Sequence, residues 1–332
     1  MKNFFVLLLV LSFGRLAVAG VDISGEYRFR EWNNLTNSSG RSDDSRFTLG
    51  ASFREGDSLM AHLSLIANSS GLVEASEAYG VWNFADAFEL KFGNFSMDWA
   101  NGTVFASNSW EAAPTVFNNS VSLAYDAGMI KVTYAELDRT EGNALTTAVG
   151  VDFMSLPAVA KTVHLFYVKQ DTLSKYGAVV AGNVDILSYD LTYASDKDGK
   201  RKASMMHAKV GVDVAGMGKV VGTYHKDKDG YSPLSYDKHA NAGLMDQYQW
   251  GDVDGLAYYT VGYVHSLNDA SAAGVFYNAF KNANGDKLGT EIDVYASHKY
   301  NDVLVATARY GKHTPEDGKA FNQWMVGLTL NF

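Results

Sequence analysis

The chain has 332 residues, no cysteine, four prolines, and 28 basic against 37 acidic residues for a formal net charge of −9. Those figures exclude disulfide scaffolds, thiolate zinc sites and cysteine nucleophiles, and the acidic balance excludes a general nucleic-acid binder, whose affinity comes from neutralising phosphates. With 47% hydrophobics, 13% aromatics and a mean hydropathy of −0.13, the chain is not disordered, and its length suits two soluble domains or one large all-β unit.

Met1 to Ala19 has the features of a secretory signal peptide: Lys2 at the start, a short apolar run from Phe4 to Phe13, and Ala17-Val18-Ala19 as an A-x-A cleavage pattern. A buried N-terminal helix is the alternative. Cleavage after Ala19 removes Lys2 and Arg15, leaving 26 basic against 37 acidic residues and a net charge near −11. Residues 20–332 then form the mature domain. Beyond residue 19 no stretch approaches the ~20 apolar residues that a membrane-spanning helix needs.

From Val21 onward the pattern has a period of two. Val21, Ile23, Gly25, Tyr27 and Phe29 interleave with Asp22, Ser24, Glu26, Arg28 and Arg30. Phe47, Leu49, Ala51 and Phe53 interleave with Arg46, Thr48, Gly50, Ser52 and Arg54. Similar sets run through Leu59–Leu65, Ile130–Tyr134, Leu187–Tyr193 and Trp324–Phe332. Successive side chains of a strand point to opposite faces, so this alternation predicts strands. Their number is about eighteen, with sixteen as the alternative.

All four prolines (Pro114, Pro157, Pro233, Pro315) are expected between strands, where a missing backbone donor does no harm. Tight gaps (Glu55-Gly56-Asp57, Ala85-Asp86-Ala87, Ala127-Gly128, Ala215 to Gly218, Tyr300-Asn301-Asp302) alternate with long polar stretches at 32–44, 96–118, 227–254 and 312–319. An even strand count with short turns at one end and longer loops at the other is the layout of a transmembrane barrel. A secreted β-sandwich would need a second apolar face for its shared core. Here the other face is charged or small and suits a wet lumen, while Tyr27, Phe29, Phe53, Tyr134, Tyr193 and Tyr310 sit where interfacial aromatics are expected. The fold predicted is an all-β, closed antiparallel transmembrane barrel, since an open sheet edge cannot survive in lipid.

The ending Gly327-Leu328-Thr329-Leu330-Asn331-Phe332 resembles the last strand of Gram-negative outer-membrane barrels, and the resemblance implies that the barrel-insertion machinery reads Phe332. Glu77-Ala78-Tyr79-Gly80-Val81-Trp82 followed by Phe88-Glu89-Leu90-Lys91-Phe92-Gly93 is similar to the strand pair before the constriction loop of bacterial porins. That makes residues 96–118 the candidate for a loop folded into the lumen. Tyr231-Ser232-Pro233-Leu234 with His239 and Gly243-Leu244-Met245-Asp246 is similar to a loop of alginate-export-type and related selective eighteen-stranded porins. The resemblance implies an outer-membrane homotrimer in contact with lipid and lipopolysaccharide, passing small hydrophilic solutes and ions, with no cofactor.

A pore works through fixed charges across a narrow wet zone. The candidate acids are Asp98 and Glu111 on the inward loop, and the facing bases are Arg28, Arg30, Arg46, Arg54 and Lys91. Ordinary lumen charges away from the narrowest point are the alternative. Trp99, Phe105, Trp110 and Phe117 are expected to anchor the loop against the wall rather than to stack on sugars. Asp196-Lys197-Asp198-Gly199, Asp227-Lys228-Asp229-Gly230 and Asp252-Val253-Asp254-Gly255 lack the twelfth-position acid of an EF-hand and are expected to be solvated external loops. The eight histidines are scattered without H-E-x-x-H spacing, so no metal site is expected. No G-x-S-x-G occurs, which leaves a channel ahead of an outer-membrane hydrolase, with a non-conducting adhesin or anchor as a further alternative.

Overall fold

In the computed structural model the chain forms one closed antiparallel barrel of eighteen strands. The structure describes residues 21–34, 41–68, 73–97, 99, 116–139, 144–231 and 255–332. The first nine strands are β1 Val21–Asn34, β2 Arg41–Glu55, β3 Leu59–Asn68, β4 Val73–Phe84, β5 Phe88–Ser96, β6 Val116–Asp126, β7 Ile130–Leu137, β8 Thr146–Phe153 and β9 Thr162–Gln170. The rest are β10 Leu173–Val184, β11 Leu187–Asp198, β12 Arg201–Val214, β13 Gly218–Lys228, β14 Ala257–Asn268, β15 Ser271–Lys281, β16 Lys287–Lys299, β17 Leu304–Pro315 and β18 Phe321–Asn331. Each strand pairs with its chain neighbours, and β1 pairs with β18 from Glu26↔Asn331 to Asn34↔Gln323. Eighteen, the first of the two counts that the alternation allows, is the number found.

Closure is tightest at the chain end. Gly25 and Phe332 exchange backbone hydrogen bonds of 2.8 and 3.1 Å. The Phe332 ring stacks on Phe47 at 6.3 Å between centroids and lies so close to Gly25 that a Cβ there would come within 2.2 Å of its Cζ. Only a residue without a Cβ admits the ring at this seam.

Cross-strand partners share a face, so the register sorts every side chain. One face points outward and is apolar: Leu63, Leu123, Val132, Leu165, Leu191, Val261, Val294 and Leu328 are all exposed. Their neighbours in sequence point inward and include Ser64, Ser122, His164, Thr192 and Asp293, all buried. A sheet with its apolar face outside and its polar face inside is stable only where hydrocarbon replaces water around it.

Four expectations are corrected. The connections do not simply alternate: β9–β10 and β11–β12 close in two residues at the long-loop end, whereas β8–β9 takes eight at the short-turn end, including a 3-10 turn at Ala158–Ala160. Asp196, Lys197 and Asp198 are not loop residues but the last part of β11, and Asp196 is buried beside Lys175 at 3.0 Å. Asp227 likewise belongs to β13, buried with His225 at 3.1 Å. Pro315 is the last residue of β17, opposite Gly289, a terminal position that tolerates the missing donor.

The inner face is not uniformly polar either. Phe95, Phe117, Leu137, Phe166, Val168, Val179 and Met205 form a buried apolar cluster on the wall from β5 to β12. Something must cover such a sector, because apolar surface facing a wet lumen is unfavourable.

Gly25→Val should disturb the seam by overpacking, at about 1–3 kcal/mol, and lower the temperature at which the barrel loses its heat-modifiable mobility in gel electrophoresis. An unchanged transition temperature would show that the Phe332–Gly25 contact does not matter for closure.

Candidate functional site

The chain leaving β5 supplies the cover. Glu77, inward on β4, accepts hydrogen bonds from the Ser96 backbone N–H at 2.8 Å and the Ser96 Oγ–H at 2.6 Å. The Ser64 hydroxyl accepts from the Glu77 N–H at 3.1 Å. A register irregularity between Ser64 and Leu65 in the β3–β4 pairing lies beside this carboxylate, and a second lies between Gly93 and Phe95. Bulges of this kind re-aim a strand and end its pairing. From this fixed point Met97 and Trp99 pack against the inner apolar cluster. The Trp99 ring lies against Gly150, where a Cβ would meet it at 2.9 Å, and edge-on to His164 with centroids 5.3 Å apart. The segment after β5 therefore turns into the barrel as far as Trp99, and Trp99 anchors it to the wall as expected. Phe117 is a strand residue of β6 that joins the same cluster. Phe105 and Trp110 lie outside the described residues.

Arg28 and Arg46 are cross-strand partners on the inner face of β1 and β2. Glu26 stands between them, 2.5 Å from Arg28 Nε and 4.0 Å from the Arg46 guanidinium. Arg30 is inward on the next turn of the pleat, opposite Gly327 of β18. Arg54 is different: at the short-turn end it is mostly exposed, 4.0 Å from Asp22. Eight positions separate it from Arg46 on one strand, about 27 Å of strand, so the two do not line the same level of the pore. Lys91 lies on β5, with Nζ 4.0 Å from the Tyr79 ring centre and 4.5 Å from that of Phe95. It thus borders the root of the inward segment. Asp98 and Glu111 lie outside the described residues, as does 232–254 with His239.

Three features of the lumen were not among the expected site residues. One is the Glu77 anchor itself, whose acid reads in sequence like any other inward charge. Another is a recess of about 290 Å³ at the short-turn end whose lining includes Lys161, Ser188, Asp190, Lys209 and Lys219. Lys219 has Asp213 at 3.9 Å, and its stem lies over Gly211, where a Cβ would be 2.1 Å from its Cε. The third is a belt of buried polar groups toward the long-loop end. Its pairs are Lys175 with Asp196, His225 with Asp227, Glu291 with His313 at 3.5 Å and Asn278 with Asp293 at 2.7 Å. Tyr231, just past the end of β13, closes over Lys175, whose Nζ lies 4.3 Å from its ring centre. Burial, with Asp196 and Asp227 nearby, pushes the Tyr231 phenol far above its ordinary range, so it stays neutral.

No family model matches this chain, and no curated protein sequence matches it. Solved structures do. Pseudomonas aeruginosa OpdQ is 12% identical with a TM-score of 0.74, over 95% of this chain and 99% of that one. OccK11 (OpdR) of the same organism is 12% identical with a TM-score of 0.73, over 94% and 95%. Acinetobacter baumannii OccAB4 is 11% identical with a TM-score of 0.70, over 94% and 98%.

Glu77→Ala removes two hydrogen bonds to a charged acceptor, each worth about 1.5–3 kcal/mol, and should free the root of the inward segment without opening the barrel. Unit conductance should become larger and noisier in the variant while its heat-modifiable mobility in gels shows that the barrel still closes; traces identical to the parent would show that Glu77 does not hold the inward segment in place. The chain has the fold of these proteins.

Proposed function

We propose that this protein is a bacterial outer-membrane porin, a water-filled channel for the diffusion of small hydrophilic solutes and ions. The observation that carries the reading is a closed sheet whose outer face is apolar and whose inner face holds charges of both signs, including Glu26 with Arg28 and Arg46. Water and dissolved solutes can follow such a wall. Selectivity would arise between the root of the inward segment at Glu77 and the Arg28–Arg46 wall. Asp98 and Glu111, on that segment in sequence, are the proposed acidic counterparts. A mild preference for cations follows from the net charge near −11 that remains after cleavage, 26 basic against 37 acidic residues.

A second reading, a substrate-selective channel, is favoured by the lysine-rich recess at the short-turn end. One of the similar structures, P. aeruginosa OpdK, was determined with vanillate (12% identity, TM-score 0.70, over 94% of this chain and 98% of that one). A small carboxylate would suit the recess lined by Lys161, Lys209 and Lys219.

Proteoliposomes carrying the protein should swell in isotonic arabinose and progressively less in larger sugars, and a lack of swelling in every sugar would reject the diffusion reading. In a salt gradient the reversal potential should show cations favoured, and Arg46→Gln should increase that preference; a zero potential would discard it. Vanillate flux that saturates, and loses saturation in Lys209→Gln/Lys219→Gln, would decide for the selective reading over simple diffusion.

A further inference from the structure

The outer face of the barrel is not electrically even around its circumference. On β9–β17 the outward side chains include Lys169, Lys197, Lys202, Lys226 and Lys228, with Lys281 and Lys312 further round. All but the half-buried Lys281, whose Nζ is 5.6 Å from the Tyr259 ring centre, are exposed. Among the described residues no strand-borne Asp or Glu faces outward on that arc. On β1–β8 the position is reversed: both lysines there, Lys91 and Lys131, face inward, while Glu31 and Glu136 face outward.

The lysines also share one end of the barrel. Lys169, Lys226 and Lys312 each stand two positions beyond an outward tyrosine of their own strand (Tyr167, Tyr224, Tyr310), and Lys197, Lys228 and Lys281 stand four beyond Tyr193, Tyr224 and Tyr277. In every case the lysine is on the long-loop side. Two positions are about 7 Å of strand, so tyrosines at the hydrocarbon boundary put the ammonium groups among the headgroups.

The register brings part of this girdle into one row. Lys169 pairs with Ser174, Ser174 with Lys197, and Lys197 with Lys202. Three strand spacings carry the row over about 14 Å. Lys197 and Lys202 are direct cross-strand partners, an arrangement of like charges that is destabilising by itself. Beside them Lys228 pairs with Ser204 and has Asp229 at 3.9 Å.

We propose that the long-loop rim of β9–β12, formed by Lys169, Lys197 and Lys202, is a docking surface for the phosphates of an anionic lipid headgroup in the outer leaflet. An anion bridging Lys197 and Lys202 turns their repulsion into attraction, and a headgroup with two phosphates spans the row. The proposal rests on the channel reading above for its orientation in a bilayer, and it confines tight lipid contact to one side of the barrel.

The test uses the detergent-solubilised full-length protein, with diphosphoryl lipid A as the probe and monophosphoryl lipid A as the control, followed by native mass spectrometry. Wild-type protein should retain the diphosphoryl form preferentially. Lys169→Gln/Lys197→Gln/Lys202→Gln should bind it at least about tenfold more weakly, given the attraction each lysine contributes near an anionic surface, and the matching triple arginine variant should restore binding. Equal retention of the two lipids by wild type, or equal affinity of wild type and the glutamine variant, overturns the proposal. If the glutamine variant fails to fold, the two-lipid comparison on wild type and the arginine variant still decides. Conductance recorded from the same preparations separates this outcome from the channel itself: silent wild-type protein sinks the porin reading, whereas conducting protein without a lipid preference sinks only the docking surface.

Discussion

Everything in this molecule depends on one constraint: in hydrocarbon no water is at hand to satisfy a backbone N–H or C=O, so the sheet must have no edge. The pairing of β1 with β18 meets it, and the Phe332 ring seated on Gly25 fixes where the last strand stops. Once the sheet is closed, the period of two does the rest. Each strand gives one set of side chains to lipid and the other to the lumen, and the cross-strand register makes both sets continuous around the wall. Neither set could exchange places with the other by a slip of a single residue without putting charge into the bilayer.

Inside, the apolar wall of β5–β12 and the segment rooted at Glu77 explain each other. Phe166, Val168 and Leu137 would be costly against water, and Trp99 lying against Gly150 and His164 takes that role. The two bulges beside Glu77 and Gly93 give the chain its turn inward, and the Glu77 carboxylate holds Ser96 at the point of departure. The lumen is thus asymmetric: packed on the side that carries the segment, charged on the side that carries Arg28 and Arg46.

The barrel was legible because most strands alternate cleanly, as β1, β2 and β18 do. Strands β8 and β9 were harder to read: Thr146–Phe153 and Thr162–Gln170 have apolar residues on both faces, since one face meets lipid and the other meets the inner cluster. The inward turn after β5 was legible from likeness to porins, but its anchor was not, because Glu77 keeps the alternation of β4 and only the Ser96 contacts set it apart from other inward charges. The same holds for Asp196 and Asp227, which look like turn acids in sequence and are buried partners of Lys175 and His225. Arg46 and Arg54 share a face in sequence, yet the distance along β2 separates their levels. The outward lysines were invisible as a group for a related reason: they come from strands far apart in the chain and align only through pairing.

A channel of this kind requires a continuous aqueous path through the closed eighteen-stranded wall. Single-channel recording in a planar bilayer tests it most directly. Discrete conductance steps of one recurring size that scale with bulk salt conductivity are expected. Insertion of correctly folded, heat-modifiable protein without any conductance would contradict it.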